Sequence, residues 1–341
     1  MINNPQGVVN GKKTGPTISG FVDLQVNGYK GISFSDLALT EERFVFACKE
    51  LIQRGTVAFL PTIITASQDI YKKNLMLIAK AMRRDDLKNH ILGIHVEGPF
   101  ISLVDGARGA HNTAWVRKPD RAFLGKLQKW ADGNIKLLTM AAELEGADEL
   151  CRYGVDLGMT VSLGHQMASE ADLQRLVTSG ARALTHLGNG LPKDLPRHEN
   201  PLWAGIANDD LVAMVIADGH HVPAGILKTM IRAKGIDKVI VVSDAAPIAD
   251  LPPGRYNTLG NDVVLDASGI VYNPDTGYFV GSASTMLDCM NFLASLQLLT
   301  LEELLQLGFY NPLQLLGVDP ASIITPSSLR YEAHEKRFLP I

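Results

Sequence analysis

The sequence predicts a single (β/α)₈ barrel, and three observations lead to this prediction. Eight short apolar runs recur along the chain, most of them followed by a polar turn and a helical pattern. Their apolar residues are nearly continuous rather than alternating, which is typical of parallel strands that are covered on both faces. The chain has 341 residues, a length that such a barrel often fills as one domain. An open doubly wound sheet is the alternative; no Gly-x-Gly-x-x-Gly motif follows a strand and no phosphate-binding P-loop is present.

The predicted strands alternate with amphipathic helices. The strands are Ile18–Val26, Thr56–Pro61, Ile91–Val96, Lys136–Ala141, Thr160–Leu163, Ala181–His186, Leu211–Ala217 and Lys238–Ser243. The helices between them are one that begins after the N-cap Thr40, then Gln68–Met82, Asp120–Trp130, Ala171–Ser179 and Pro223–Ala233. Ser169 and Asp172 form a capping-box pattern at the start of the fourth helix, with Asp in place of the usual Glu or Gln.

The pattern changes after the eighth strand. Tyr256–Val280 reads as hairpin segments joined by Gly, Asn and Asp turns, and Met286–Leu299 and Leu301–Leu307 read as helices. No strong pattern follows Gly317. The expected organisation is a short N-terminal segment (1–17), a barrel (18–317) with a hairpin region near 256–281 and C-terminal helices, and a C-terminal tail (318–341).

Composition excludes several classes of protein. A net charge of −4 provides no basic surface for nucleic acid or for an anionic membrane, and 46% hydrophobic residues are too many for a disordered chain. No stretch approaches the roughly 18 consecutive apolar residues of a membrane-spanning helix. The three cysteines are far apart and the first residues lack the apolar core of a signal peptide, so we expect a cytoplasmic protein.

Ionisable residues collect where the predicted strands end, which is where barrels carry their active sites. A lone histidine at a strand end is more often a hydrogen-bonded structural residue than a ligand. Glu97, His165 and His186 end three different strands, however, and one carboxylate with two imidazoles is a common ligand set for a catalytic divalent metal. The sequence therefore favours a metal site.

Other strand-end residues keep more than one interpretation. Asp244 ends the eighth strand and could cap the next turn or form an ion pair; as a general base it would take a proton from the attacking water. Asp23 is expected to support the site structurally. Gln25 and Asn27 are neutral amides, which are poorer ligands than imidazole for a borderline metal.

Eight segments in order along the chain resemble the N-acetylglucosamine-6-phosphate deacetylase family of the amidohydrolase superfamily. They are Phe21–Gly28, His95–Phe100, Arg108–Asn112, Leu163–His165, Thr185–Asn189, Ile216–Val222, Val242–Ala246 and Gly281–Ser282. Each motif alone is weak, but the HVEGP, GAHN, THLxN and ADGxHV elements together are specific. The resemblance runs from about residue 18 to residue 286.

The resemblance implies a role for each matching residue. Glu97, His165 and His186 would bind the metal, and Asp244 would be the catalytic acid and base. The substrate-binding residues that it implies are Ala110, His111, Asn189, Gly190, Arg197, His221, Phe279, Val280 and Gly281. Among these, His111 would contact the sugar or its amide, and Arg197 would bind the phosphate.

The resemblance also implies a cofactor and partners. Many amidohydrolases have His-x-His at the end of the first strand, where this chain has Gln25 and Asn27. Together with Asp23, these positions would mark a vestigial second-metal site or support the ligands from behind, so one divalent ion is expected, Zn²⁺ or else Fe²⁺. Family members form dimers or larger homo-oligomers and carry a small accessory β-sandwich, which is expected to be reduced or absent here.

The expected reaction is hydrolysis of the N-acetyl group of an amino sugar phosphate, with N-acetylglucosamine 6-phosphate as the first choice of substrate. Two alternatives remain. One is an amidohydrolase for N-acetylgalactosamine 6-phosphate, an unphosphorylated N-acyl sugar or a cyclic amide. The other is a catalytically idle barrel that serves as a binding module, against which the intact set of Glu97, His165, His186 and Asp244 argues.

Overall fold

Eight parallel strands form the wall of a barrel in the computed structural model, which describes residues 8–9, 12–13, 15–323 and 328–341. They are β1 (Phe21–Val26), β2 (Thr56–Ile64), β3 (Ile94–Glu97), β4 (Ile135–Met140), β5 (Thr160–Leu163), β6 (Ala181–Leu184), β7 (Val212–Ile216) and β8 (Val239–Val242). Each strand pairs with the next in chain order. A parallel bridge between Val26 and Ala245 joins the end of β1 to the residues after β8. The wall is therefore nearly closed, and the predicted (β/α)₈ barrel is confirmed.

One helix follows each of the first seven strands and packs on the outside of the barrel. The helices are α1 (Glu41–Gln53), α2 (Gln68–Ala81), α3 (Arg121–Trp130), α4 (Ala147–Asp156), α5 (Glu170–Thr178), α6 (Pro201–Ala207) and α7 (Ala224–Lys234). Thr40 caps α1, and the capping box of Ser169 and Asp172 is present at α5. Helices α4 and α6 were not predicted. The first begins after Gly146 without a side-chain cap, and the second is only seven residues long.

The amino-terminal part of the barrel interior is apolar, and this end of the barrel is covered by the chain that follows the hairpin region. Helices α8 (Met286–Ser295), α9 (Leu301–Leu305) and α10 (Asn311–Leu316) follow one another there. Leu313 is fully buried and belongs to the same cluster as Leu24 and Ile240 of the strands. Asn311 donates to Val239 O at 2.7 Å, at the start of β8. Helix α10 therefore closes the end of the barrel opposite the predicted active site.

A small antiparallel sheet follows the eighth strand and lies beside the open end of the barrel. It consists of the strands Gly254–Thr258, Asn261–Leu265 and Val271–Tyr272. Asn261 donates from Nδ2 to Ala110 O at 3.0 Å, which ties this sheet to the loop after β3. The residues that follow it return toward the strand ends, where Ser282 forms a bridge with Ala245.

The two ends of the chain differ from expectation. Strand β1 begins at Phe21 and not at Ile18, because the chain turns at Gly20, where φ is +140° and an added Cβ would lie 2.5 Å from Gly55 O. The short strand Thr17–Ile18 instead pairs with the tail.

The tail beyond Gly317, in which the sequence shows no strong pattern, contains two strands. Leu329–Glu332 and Arg337–Pro340 form a hairpin that joins Thr17–Ile18 in a three-stranded sheet. The ring of Phe338 packs at 5.0 Å against the ring of Phe21.

Most of the expected N-terminal segment 1–17 lies outside the described residues. In its described part, Val8–Val9 pairs with Lys12–Lys13. None of the described helices has the length and apolar content to cross a bilayer.

Candidate active site

Glu97, His165 and His186 meet at the carboxyl end of the barrel. Glu97 is the last residue of β3, and the two histidines follow β5 and β6. Glu97 Oε1 lies 2.9 Å from His186 Nε2 and 3.2 Å from His165 Nε2, and the two imidazole nitrogens are 3.1 Å apart. Because parallel strands end at one rim, three residues that are distant in sequence become one cluster.

The donor atoms of this cluster fit a divalent metal ion. His165 Nδ1 donates to Ala107 O at 2.9 Å, which leaves the lone pair of Nε2 pointing toward Glu97. A positive charge between two imidazole nitrogens and a carboxylate oxygen this close together would stabilise all three. One candidate ligand atom from each of the three residues lies within 4.8 Å of the others, and all three side chains are buried. Such a set holds Zn²⁺ and related ions.

The charges of the cluster stabilise one another. Burial opposes ionisation of Glu97, but the hydrogen bonds and charges of His165 and His186 outweigh it and hold the pKa of the carboxyl well below its usual value. Burial also opposes the charged form of His186, yet Glu97 raises the pKa of that imidazole. The cluster is therefore a place where positive charge is favoured.

Two neutral amide side chains at the end of β1, those of Gln25 and Asn27, donate hydrogen bonds to carboxylates of this site. Gln25 donates from Nε2 to Glu97 Oε1 at 2.8 Å, and Asn27 donates from Nδ2 to Asp244 Oδ1 at 2.7 Å. Asp23 lies deeper, where it accepts from the hydroxyl and the backbone N–H of Ser243. Burial raises the pKa of Asp23 to about 7, against the effect of the Ser243 hydrogen bonds. Amides thus orient the two carboxylates, and Asp23 supports the strand that carries one of them.

Asp244 follows β8 and has 9% of its surface exposed. Burial, together with the negative charge of Glu97, raises the pKa of Asp244 to about 6, while His186, His221 and Asn27 act in the opposite direction. A carboxyl with a pKa just below neutrality is ionised at pH 7 and can still take up a proton during a reaction. This is the property expected of a general base that later acts as an acid.

His111 lies against the cluster with its proton on a defined nitrogen. His111 Nδ1 lies 2.8 Å from Thr65 Oγ1 and accepts from the backbone N–H of Thr65 at 3.3 Å, an arrangement that favours the neutral tautomer with its proton on Nε2. That Nε2 is 3.2 Å from His165 Nε2. Burial, reinforced by the neighbouring His165, lowers the pKa of His111 to about 3. The ring therefore stays neutral and offers one N–H donor to the site.

A cavity of about 280 Å³ opens above these residues. The predicted residues among those that line it are Glu97, His165, His186, Asp244, Asn27, Ala110, His111, Asn189, Gly190, His221, Phe279 and Gly281. Asp218 accepts a hydrogen bond from His221 Nδ1 at 2.7 Å, so Nε2 of His221 points away from Asp218. The His221 ring also packs edge-on against the ring of Phe279, with the ring centres 4.9 Å apart.

Four predicted residues do not line the cavity. Asp23 and Gln25 are buried beneath it, as described above. Val280 is 1% exposed and packs with Ala246 and Val263 in the small core under the antiparallel sheet. Arg197 is exposed, and its backbone carbonyl accepts from Trp203 Nε1 at 3.2 Å.

Sequence reasoning missed several residues that line the cavity, and Lys193 and Tyr278 are the two among them with long polar side chains. Each lies in a loop and belongs to no recognised motif. The only available signal was the position of Lys193 shortly after Asn189, on the loop that follows a ligand-bearing strand.

Three of the site residues have a left-handed backbone. The φ angles are +51° at His165, +30° at His186 and +49° at Asp244. This conformation costs a residue other than glycine roughly 1–2 kcal/mol. Each of these residues lies two positions after the last residue of its strand, so the strained turn aims its side chain into the barrel mouth. Such strain is concentrated at functional sites.

A (β/α)₈ barrel whose strand ends present a carboxylate, two imidazoles and a further buried carboxylate defines a class of hydrolytic enzymes that can use a bound metal. The chain matches the model of the amidohydrolase family over residues 18–326. It belongs to that family, and it is a hydrolase that acts on carbon–nitrogen bonds. The predicted resemblance and the predicted enzyme class are confirmed.

The chain is similar to several deacetylases of amino sugar phosphates. The chain is 32% identical over 314 residues to an N-acetylglucosamine-6-phosphate deacetylase of Danio rerio, covering 88% of this chain and 75% of that protein. It is 30% identical over 313 residues to an N-acetylgalactosamine-6-phosphate deacetylase of a Shewanella species, covering 91% and 75%. The crystal structure of N-acetylglucosamine-6-phosphate deacetylase from Pasteurella multocida superposes with a TM-score of 0.83 at 27% identity, covering 96% of this chain and 84% of that one.

Proposed function

We propose that this protein removes the acetyl group from N-acetylglucosamine 6-phosphate, giving glucosamine 6-phosphate and acetate. One observation carries the proposal: the cluster of Glu97, His165 and His186 shares a single cavity with Asp244 and the N–H donor of His111. Those are the parts that amide hydrolysis needs. The substrate follows from the relatives, most of which are named for this reaction.

A divalent ion held by Glu97, His165 and His186 would polarise the acetyl carbonyl and lower the pKa of the attacking water. The donor set supports Zn²⁺ as the ion, with Fe²⁺ as the alternative. The rest of the chemistry belongs to the side chains around the cluster.

Asp244 is the general base and then the general acid. With a pKa near 6 it is ionised at neutral pH and accepts the proton of the attacking water. The hydrogen bond from Asn27 to Oδ1 holds the carboxylate in one orientation. When the carbon–nitrogen bond breaks, the same carboxyl returns the proton to the departing amine.

His111 stabilises the negative charge that develops on the acetyl oxygen. Its proton is on Nε2 because Nδ1 accepts from Thr65, and its lowered pKa keeps the ring neutral. An N–H donor fixed in place before the reaction need not reorganise as charge develops. At the sugar end, the ring of His221 and the amide of Asn189 offer polar contacts within the same cavity.

N-acetylgalactosamine 6-phosphate is the second candidate substrate, since a relative with 30% identity over most of this chain is named for its deacetylation. The two sugars differ only in the configuration at C4.

We place the protein in the cytoplasm, which the three buried free cysteines support. The homo-oligomer implied by the family resemblance remains a prediction.

The test is a panel of N-acetyl amino sugars, with and without a 6-phosphate, assayed for acetate release by Zn²⁺-loaded protein. We expect the highest kcat/KM with N-acetylglucosamine 6-phosphate. A higher value with the galactose isomer would select the second candidate. Release of no acetate from any member of the panel by metal-loaded protein would contradict the proposal.

A further inference from the structure

A second cavity, of about 460 Å³, adjoins the substrate cavity at the open end of the barrel. Among the described residues, Ile64 and Leu259 are the two that line both cavities. Because each of them faces both spaces, their aliphatic side chains lie between the two cavities. We refer to these two side chains as the partition.

Ile64 lies beside the groups that would react with the substrate. It is the last residue of β2 and pairs with Glu97 on β3. Side chains of paired residues on neighbouring strands point to the same face, so Ile64 and the metal ligand face one cavity. The next residue, Thr65, contacts His111. The backbone N–H of Ile64 donates to Ser35 Oγ at 3.0 Å, which fixes Ile64 in this place.

Leu259 lies at the tip of the first hairpin of the small antiparallel sheet. Its φ is +51°, and φ at the following Gly260 is +74°. Two-residue hairpin turns with positive φ at both positions favour asparagine or glycine at the first position, and a leucine there is disfavoured. Asn261 donates from Nδ2 to Leu259 O at 2.9 Å and so holds the turn. A strained leucine that faces two cavities indicates that its side chain has a role there.

The acyl group of the substrate would meet the partition. In the proposed reaction, the carbonyl oxygen lies at the metal-ligand cluster and the N–H of His111, and the sugar extends outward. Among the described residues that line the cavity, the leucine and isoleucine side chains are Ile64, Leu191 and Leu259. Leu191 lies two positions beyond Asn189, at the sugar end. The methyl of the acetyl group therefore has Ile64 and Leu259 as its apolar contacts.

The second cavity is suited to an uncharged chain. Among the described residues that line it, Asp36 is the only charged one. Its larger apolar lining residues outside the partition are Leu37, Ile70, Trp115, Ile248 and Leu251. Transfer of each methylene from water to such surroundings is favourable. The space beyond the partition therefore has the volume and the apolar wall that a short aliphatic chain requires.

We propose that the partition of Ile64 and Leu259 restricts the enzyme to acetyl groups, and that its removal opens the second cavity to longer N-acyl groups. This rests on the proposed function, because it assumes an N-acyl amino sugar phosphate with its carbonyl at the metal-ligand cluster. The reaction itself is unchanged. Water adds to the carbonyl carbon, the carbon–nitrogen bond breaks, and the products are the amino sugar phosphate and the longer carboxylic acid.

The experiment compares wild-type protein, I64A and L259G, each loaded with Zn²⁺, on N-acetyl-, N-propanoyl- and N-butanoyl-glucosamine 6-phosphate. The measurement is kcat/KM for release of glucosamine 6-phosphate. In the wild type it should fall at least about tenfold from acetyl to butanoyl, since one methylene in a confined apolar pocket discriminates roughly 10–200-fold. In both variants the ratio of butanoyl to acetyl should rise at least about tenfold. A glycine at position 259 also suits the left-handed turn, so L259G should fold.

L103G is the matched control. Leu103 is 63% exposed, lies in the loop after β3 and lines neither cavity, so its removal should leave the wild-type ratio. Thermal unfolding shows which variants fold, and L259G decides if I64A does not.

Three results would overturn the partition alone while wild-type protein hydrolyses the acetyl sugar. They are a wild-type enzyme that hydrolyses the butanoyl sugar as fast, a ratio unchanged in the folded variants, which would indicate a merely structural role, and an equal rise in L103G. If wild-type protein releases glucosamine 6-phosphate from none of the three substrates, the proposed function fails and the partition fails with it.

Discussion

Asn27 donates from Nδ2 to Asp244 Oδ1 at 2.7 Å and so links the end of the first strand to the end of the eighth. The backbone N–H of Asn27 also donates to Ala245 O at 2.9 Å. One residue therefore closes the barrel and orients the carboxylate that we assign as the base. At this position a neutral amide serves as the hydrogen-bond donor to the Asp244 carboxylate.

Substitution N27A should impair the reaction through Asp244. The hydrogen bond from Asn27 lowers the pKa of Asp244, so its removal raises that pKa and leaves the carboxylate less well oriented. We expect kcat to fall roughly tenfold or more and the acid limb of kcat/KM to move to higher pH. The pH profile distinguishes this from general damage. A lower rate with an acid limb at the wild-type position would argue against the assigned role of Asn27.

The pH dependence of the wild-type enzyme follows from the same carboxyl. Burial and the charge of Glu97 raise the pKa of Asp244 to about 6, and only the ionised form can accept a proton. A bound divalent cation favours the ionised form and lowers this pKa. Activity should therefore rise with pH and reach its plateau by neutrality, with the midpoint of the acid limb at or below pH 6. A midpoint above about pH 7 in the metal-loaded enzyme would be incompatible with this assignment.

Loss of one ligand should release the metal. His186 Nε2 lies 2.9 Å from Glu97 Oε1 and 3.1 Å from His165 Nε2, so H186Q removes one of three donors. We expect the variant to retain little metal after dialysis, measured by elemental analysis, and to lose activity in parallel. H198Q, at an exposed histidine, is the control and should bind metal like the wild type. Full metal content in H186Q would remove this residue from the ligand set.

The packing of α10 into the amino-terminal end of the barrel predicts an effect on the free energy of unfolding. Leu313 of α10 is fully buried among apolar residues of the barrel interior. L313A leaves a cavity there and should lower the free energy of unfolding by about 2–5 kcal/mol in a denaturant titration. L37A truncates a leucine that is 52% exposed and should cost less than about 1 kcal/mol. Equal effects of the two substitutions would mean that α10 does not seal the barrel.

The barrel could be predicted from the sequence because its strands are buried on both faces and several helices have strong caps. Elements with a weak hydrophobic pattern or without a capping residue could not be predicted. The hairpin Leu329–Glu332 and Arg337–Pro340 has four-residue strands, too short for an alternation to stand out from a polar tail. Helix α4 begins after a glycine that offers no side-chain cap.

Within the site, the strand-end residues were predictable because their positions follow from the strands. The role of Gln25 as a hydrogen-bond donor to Glu97 depends on an inter-strand distance that sequence does not contain. Lys193 was not predictable, because its place in the cavity depends on contacts with Thr276 and Tyr278, more than eighty residues away. Loop residues of this kind acquire their role only through tertiary packing.

The most direct test of the central claim is the rate of acetate release by D244N, measured together with its metal content. Asp244 is outside the cluster of Glu97, His165 and His186, so D244N should bind the metal like the wild type. An amide in its place cannot accept the proton, and kcat should fall at least about a hundredfold. A D244N protein that holds its metal and hydrolyses N-acetylglucosamine 6-phosphate at the wild-type rate would contradict the account.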